Sequence, residues 1–255
     1  MLLTIDIGNS NICIVIYNQK KDILFDARYE TIKQDPQSAY TTWIDLQMIP
    51  LIARFHVTRF ILSSVVPAVT STVMDLLTKR LGIPGHNVTL DSVPDFKVKL
   101  AQPRDIGADF IGTSYGVYAK HALPAIVADL GSATKLSALN VDETFEGGVI
   151  IPGIRISRDA LSSFIPHLPA IDIAVPKHVI GRDTISAMES GLMYGHIEAV
   201  RGLAARMAEE LGEGTVKVLT GGFAAVVYPF LPEFIYEPHL LNDGLFAIDQ
   251  QLHAE

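Results

Sequence analysis

The sequence predicts an α/β protein built from two related halves, and three observations lead there. The stretch Thr4-Ile5-Asp6-Ile7-Gly8-Asn9-Ser10-Asn11 is an apolar strand that breaks at an Asp-x-Gly turn and resumes as an apolar run from Ile12 to Tyr17. The same pattern returns at Ala125-Ile126-Val127-Ala128-Asp129-Leu130-Gly131-Ser132-Ala133-Thr134 and continues through Leu136 and Leu139. Elsewhere, short apolar runs alternate with longer helical patterns, as in an α/β layer. Two matching strand–turn–strand units, one near the start of each half, point to a duplicated domain with mixed sheets and a cleft between the copies, divided at 1-118 and 119-255. A length of 255 residues with 49% hydrophobic content is enough to fill both cores.

In order along the chain, the first unit reads as a β-hairpin whose turn is supplied by Gly8 and Asn9, residues that tolerate positive φ. Ile23 to Tyr29 adds a third strand, and a helix is expected from Ala39 to Phe55, kinked or divided by Pro50. Phe60 to Val66 is a short buried strand closed by Pro67. Val69 to Leu81 is a helix ending on Lys79, Arg80 and Gly82. Asp95 to Ile106 is polar and extended, and a helix begins near Asp109 and runs to His121. After the second hairpin, Gly147 to Gly153 forms a strand, with Arg155 and Arg158 on the following helix as a solvated face or a phosphate clamp. A long helix from Ile185 to Leu211 follows Asp183 and Thr184 and is closed by Gly212. Val216 to Leu219 is a strand stopping at Thr220-Gly221-Gly222, a helix runs from Phe223 to Leu231, and Leu240 to Ile248 closes the fold.

Composition narrows the function. A formal net charge of −8 argues against nucleic acid and anionic membrane as partners. The lone Cys13 excludes an intrachain disulfide, and its apolar strand marks it as a structural thiol. The eight histidines show no zinc-ligand spacing. With no basic leader and no apolar run of about 18 residues, a soluble, cytoplasmic protein is expected. The Asp-x-Gly turns carry the chemistry. Such a turn gathers backbone N–H groups and short polar side chains into a concavity with a carboxylate at its rim, suited to a nucleotide phosphate and its Mg2+. An ordinary hairpin, with Asp and Asn satisfying the turn, is the alternative. No P-loop or G-x-G-x-x-G follows a strand. Asp109 is either a helix cap or a base for a substrate hydroxyl.

Together these motifs resemble the type III pantothenate kinases, of the superfamily that includes acetate and sugar kinases and actin. The resemblance rests on Asp6-Ile7-Gly8-Asn9-Ser10, Ser63-Ser64-Val65-Val66-Pro67, Gly107-Ala108-Asp109, Asp129-Leu130-Gly131-Ser132-Ala133-Thr134, Gly147-Gly148-x-Ile150-x-Pro152-Gly153, Ile180-Gly181-x-x-Thr184 and Thr220-Gly221-Gly222, in that order over nearly the whole chain. It implies two ribonuclease-H-like (actin-like) halves, a dimer, and transfer of the ATP γ-phosphoryl group to pantothenate with Mg2+ and a monovalent cation (K+ or NH4+), the first step of coenzyme A biosynthesis. By position it puts Asp6, Ile7, Gly8, Asn9, Ser10, Asn11, Ile12, Cys13 and Ser132 at ATP, Asp6 and Asp129 at the metal ions, and Asp109 as general base. Leu100, Gly107, Ala108, Asp109 and Phe110 fall at the substrate, with Thr184 contributed by the neighbouring subunit.

The sequence departs from the family at the acceptor. Phe110 stands where the family's Gly-Ala-Asp-Arg has arginine, Leu100 where Tyr-x-x-Pro has tyrosine, and Thr134-Lys135-Leu136-Ser137 where it continues Thr-Thr-x-Asp. Losing one charge-assisted contact costs about 1.5–3 kcal/mol. Three readings follow: a self-sufficient kinase, with Lys135 standing in for the monovalent cation; one subunit of a heteromer with a complete paralogue; or a non-catalytic binding or regulatory protein.

Overall fold

The computed structural model describes residues 1–253, Leu81 by its backbone alone, and divides into two compact units. The first comprises Met1–Phe96, Gln102–Lys120 and the chain from Leu240 onward; the second comprises Lys97–Ala101 and His121–His239.

The first unit holds β1 (Leu2–Ile7), β2 (Asn11–Tyr17), β3 (Ile23–Glu30), β4 (Arg59–Ser64) and β5 (Gly85–Asn87) in the sheet order β3-β2-β1-β4-β5. The hairpin strands pair antiparallel, whereas β4 joins β1 in parallel and β5 joins β4 in parallel. Alternation along β1 sorts its side chains. Leu3, Ile5 and Ile7 pack into a core with Tyr40, Ile44, Met48, Val69 and Val73, supplied by α1 (Pro36–Trp43), a π-helical turn (Ile44–Met48) and α3 (Pro67–Leu81). Thr4 and Asp6 face the other way, where α4 (Ala108–Tyr118) and α8 (Leu240–Leu252) lie; Asn242 Nδ2 donates to Thr4 Oγ1 at 2.9 Å. That side of the unit is tied by polar contacts. Tyr17 donates to Asp243 at 2.9 Å, Lys120 donates to the same carboxylate at 2.9 Å, and Arg59 grips Asp249 with both Nε and Nη2.

The second unit repeats the plan. Strands β7 (Ala125–Leu130), β8 (Ala133–Leu139), β9 (Thr144–Pro152), β10 (Val216–Thr220) and β11 (Ile235–Tyr236) lie in the order β11-β10-β7-β8-β9, with β6 (Lys97–Val98) at the edge beyond β9. Read from its hairpin end, β9-β8-β7-β10-β11 is the first sheet's order, with the same parallel and antiparallel pairings. The helices here are α5 (Ile154–Phe164), the long α6 (Thr184–Leu211) and the short α7 (Ala224–Val227). Leu192, Met193, Ile197, Val200 and Ala204 of α6 pack on Ile126, Ala128, Leu130 and Leu136 of the sheet.

As expected, the helix is divided at Pro50: the chain passes from α1 to α2 (Ile49–Phe55) through the π-helical turn, where Ile49 N–H reaches back to Ile44 O. The wider turn accommodates a proline that lacks an N–H and crowds the preceding turn. Three expectations need correction. Neither Gly8 nor Asn9 is among the described residues at positive φ. Gly8 N–H instead bonds Asn11 O at 2.9 Å, and a Cβ at Gly8 would lie 3.2 Å from that oxygen. The helix expected to reach Leu231 ends at Val227 and gives way to a 3-10 turn at Tyr228–Phe230 that contains Pro229. Finally, the closing segment, placed with the second half by the sequence reading, packs in the first unit as α8.

Candidate functional site

In the first unit the strand register lines up three polar side chains. Asp6 on β1 pairs with Cys13 on β2 and with Ser63 on β4, so the row Cys13, Asp6, Ser63 shares one face of the sheet. Asp6 and Cys13 are half-buried; Ser63 is fully buried, and its Oγ has no hydrogen-bond partner among the described residues. A buried hydroxyl left without a partner carries a desolvation cost that a bound ligand can relieve. The connecting loop is tied down from the chain that follows β3. Thr31 Oγ1 donates to Gly8 O at 2.8 Å, Thr31 N–H to Ser10 O at 3.0 Å, and Lys33 Nζ to Asn9 Oδ1 at 2.9 Å. Of the residues predicted to line ATP, Ile7 and Ile12 point into the core with no exposure, so a ligand meets them only through backbone.

Asp109 stands in the first turn of α4. Gly107 is the N-cap, in extended backbone and without a side-chain capping bond, so Asp109 is not the cap. Its Oδ1 accepts Phe110 N–H at 2.9 Å, which folds the carboxylate back over the positive end of the helix. A Cβ at Gly107 would lie 2.4 Å from that oxygen, so only glycine leaves the carboxylate this room. Such a Cβ would also lie 3.7 Å from Val65 Cγ1, which places the start of α4 just past the end of β4. Ala108 is buried, and Phe110 is half-buried beside Asp109.

The second unit repeats the row with one change of charge. Asp129 on β7 pairs with Lys135 on β8 and with Thr220 on β10. Lys135 Nζ lies 3.0 Å from Asp129 Oδ2, with the two side chains 17% and 20% exposed. On the other side of the carboxylate is Gly221, at φ +98°, where a Cβ would lie 2.5 Å from both Asp129 Oδ1 and Leu130 N; a side chain there is excluded by conformation and by space. The turn closes through Gly131 N–H to Ala133 O at 3.1 Å, one residue shorter than its counterpart in the first unit. Ser132 is half-buried at its tip. Thr134, fully buried, bonds His196 Nε2 of α6 at 2.8 Å, and burial pushes the His196 pKa down.

The structure groups the sequence-predicted residues by unit. Asp6 to Cys13 and Gly107 to Phe110 fall in the first, and Leu100, Asp129, Ser132, Lys135 and Thr184 in the second. Leu100 follows β6 and is half-buried, with Cδ2 3.8 Å from where a Gly147 Cβ would lie. Thr184 is exposed as the first residue of α6, behind Asp183, whose side chain accepts Ser186 N–H at 2.9 Å as a true N-cap. Arg158 pairs with Asp159, and the Arg155 guanidinium lies 6.0 Å from the Phe223 ring centroid. Ser63, Thr220 and His196 were missed as site residues. Their relation to Asp6, Asp129 and Thr134 exists only once distant segments pair, although Ser63 and Thr220 both end apolar strands, a visible signal.

Among the described residues no group of three or more His, Cys, Asp or Glu could hold a metal. Mg2+ needs no such cage, since it is commonly held by one or two carboxylates together with substrate phosphates, and Asp6 beside the Ser63 hydroxyl fits that requirement. A monovalent cation at Asp129 does not fit, because the Lys135 ammonium is already there. No helix among the described residues is long and apolar enough to cross a membrane.

Known proteins resemble the chain in sequence and in fold. The family model for type III pantothenate kinase matches residues 2–206. Curated relatives named type III pantothenate kinase include one from Moorella thermoacetica, 33% identical over 238 residues and covering 90% of each chain. Another, from Desulfosudis oleivorans, is 33% identical over 251 residues, covering 97% of this chain and 98% of its own. A chain described as a 2-dehydro-3-deoxygalactonokinase from Sinorhizobium meliloti shares the fold at a TM-score of 0.60 with 13% identity, covering 100% of this chain and 98% of its own. The activator of 2-hydroxyisocaproyl-CoA dehydratase from Clostridium difficile, solved with bound ADPNP, shares it at 0.53 with 12% identity, covering 99% and 96%. The fold is therefore the duplicated ribonuclease-H-like one of the sugar kinases, and on the match to its family model and its relatives the chain belongs to the type III pantothenate kinase family.

Proposed function

We propose that the protein transfers the γ-phosphoryl group of ATP to the primary hydroxyl of pantothenate, giving ADP and 4'-phosphopantothenate. The observation that carries this reading is the repeated row, a strand-end carboxylate flanked by a buried hydroxyl, in two sheets of one order, within a chain whose relatives are named pantothenate kinases. Phosphoryl transfer asks a protein chiefly for positioning and charge stabilisation. Here Asp6, Ile7, Gly8, Asn9, Ser10, Asn11, Ile12 and Cys13 take the ATP phosphates, Ile7 and Ile12 by their backbone, with Ser132 as a further contact. Asp6 holds Mg2+, with Ser63 beside it. When bound with the nucleotide, Mg2+ neutralises phosphate charge. Asp109 accepts the proton of the acceptor hydroxyl as its oxygen bonds to the γ-phosphorus and the bond from that phosphorus to ADP breaks. The turn that folds the Asp109 carboxylate back over the α4 amides fixes its direction.

Gly107, Ala108, Phe110 and Leu100 border the acceptor, and Thr184 completes the acceptor site of a second copy in a homodimer. Apolar side chains on the second unit support that assembly: Phe164 is 86% exposed and Ile180 82%. A cytoplasmic location fits this reading. The apolar Phe110 and Leu100, where an anionic substrate would gain from arginine and tyrosine, favour a second reading in which the chain works with a complete paralogue. One experiment tests both. The purified chain is incubated with Mg-ATP and pantothenate and the product is examined by phosphorus NMR and mass spectrometry. A pantothenate phosphomonoester from the chain alone supports the homodimeric kinase; product only after mixing with a complete paralogue supports the heteromer; no product in either case rejects the acceptor.

A further inference from the structure

The two hairpins carry the same row with different neighbours. Asp6 has a thiol, Cys13, across the hairpin, whereas Asp129 has an ammonium, Lys135, in the equivalent pairing. On the strand to the other side, Asp6 meets Ser63 and Asp129 meets Thr220, so the rows differ chiefly in that one charge. The contact is specific: Nζ lies 3.0 Å from Oδ2 with both side chains about four-fifths covered, and Gly221 presses backbone against the opposite oxygen. An ion entering from solution must shed part of its hydration shell and displace a cation that the strand register has already placed. A charge-assisted N–H···O bond in such a partly buried place is both strong and directional.

We propose that Lys135 is a resident cation of the second phosphate turn, taking the place of the exchangeable monovalent cation that the family resemblance assigns to Asp129, so that ATP binding and turnover do not depend on K+ or NH4+. The inference rests on the kinase reading for its turnover arm only; its binding arm requires no acceptor. It follows that the protein separates its cation needs by half: Mg2+ at Asp6, with a cysteine across the hairpin, and none at Asp129, where the charge is built in.

The test is Mg-ATP binding by calorimetry to the full chain, at matched ionic strength of about 0.1 M supplied by tetramethylammonium, K+ or NH4+ chloride. The expected result is an affinity that changes by less than about twofold among the three salts for the wild type and for Lys135→Arg. Lys135→Ala should bind weakly in tetramethylammonium and recover about tenfold in K+ or NH4+, within the ordinary range of coupling between sites. A wild-type affinity that rises about tenfold with K+ would overturn the proposal, as would a Lys135→Ala protein that binds like the wild type in every salt. Should Lys135→Ala fail to fold, the wild-type comparison decides by itself. Salt-independent binding without any pantothenate-dependent turnover would leave the resident cation standing and reject the acceptor. K+-stimulated binding with intact turnover would do the reverse.

Discussion

Asp109 and Ser63 make opposite demands on the fold, and substituting each separates function from stability. Asp109→Asn keeps the shape and the contact to Phe110 N–H through its remaining oxygen but removes the basic carboxylate. Turnover should fall by about 10² to 10⁴ with Mg-ATP affinity retained, as steady-state kinetics and calorimetry on one preparation would show. Unaltered turnover would take Asp109 out of the base role. Ser63→Ala removes a fully buried hydroxyl without a partner, so the melting temperature should hold or rise while Mg-ATP affinity falls. A drop in melting temperature with unchanged affinity would make Ser63 a packing residue. The three carboxylates were legible in the sequence because each sits in a short local pattern, Asp-x-Gly or Gly-Ala-Asp. Ser63 and Thr220 were not, since nothing local says that β4 and β10 register against Asp6 and Asp129. Ile7 and Ile12 show what a motif read as a block leaves out: strand alternation turns their side chains into the core, so only their backbone faces a ligand.

Among the elements, α8 and α6 carry the clearest tests. Asp249 on α8 is 3% exposed and accepts from both Nε and Nη2 of Arg59, which raises the Arg59 pKa through that hydrogen bond. Asp249→Ala should cost about 3–5 kcal/mol in urea unfolding because it leaves a partly buried guanidinium without its partner. Lys79→Ala, breaking an exposed i,i+4 pair with Asp75, should cost under about 0.5 kcal/mol. On α6, burial lowers the His196 pKa, and at His86 burial acts in the same direction. The unfolded chain therefore binds more protons than the folded one as pH falls below about 6.5, and stability present above that pH is lost on the way down to the folded-state values. The melting temperature should decline through that window, and His196→Gln should flatten part of the decline if it folds as well at pH 8; an unchanged slope would contradict the buried neutral imidazole. Helix ends with strong local signals were legible, notably Gly82 and Gly212 as C-caps; Asp183 and Thr184 both suited the start of α6, and the structure makes Asp183 the N-cap. The π-helical turn before Pro50 was not, because a proline predicts a disturbance and not the form by which the chain absorbs it.

For the molecule as a whole, duplication was the most legible feature, and the matching order of the two sheets is its physical form. The return of the chain to the first unit was hidden. The α8 sequence is amphipathic whichever sheet it covers, and only the fit of Asn242 to Thr4 and of Asp243 to Tyr17 and Lys120 decides. At this scale the proposed homodimer predicts a sedimenting mass twice the 27.8 kDa of one chain, shifted towards one chain by Phe164→Asp together with Ile180→Asp. A wild type that sediments as a single chain would contradict the shared acceptor site. The most direct measurement is the rate of ADP formation by the purified chain with Mg-ATP, with and without pantothenate. The account predicts ADP release that depends on pantothenate and saturates with it; ATP binding without pantothenate-dependent release, alone or with a complete paralogue, would contradict it.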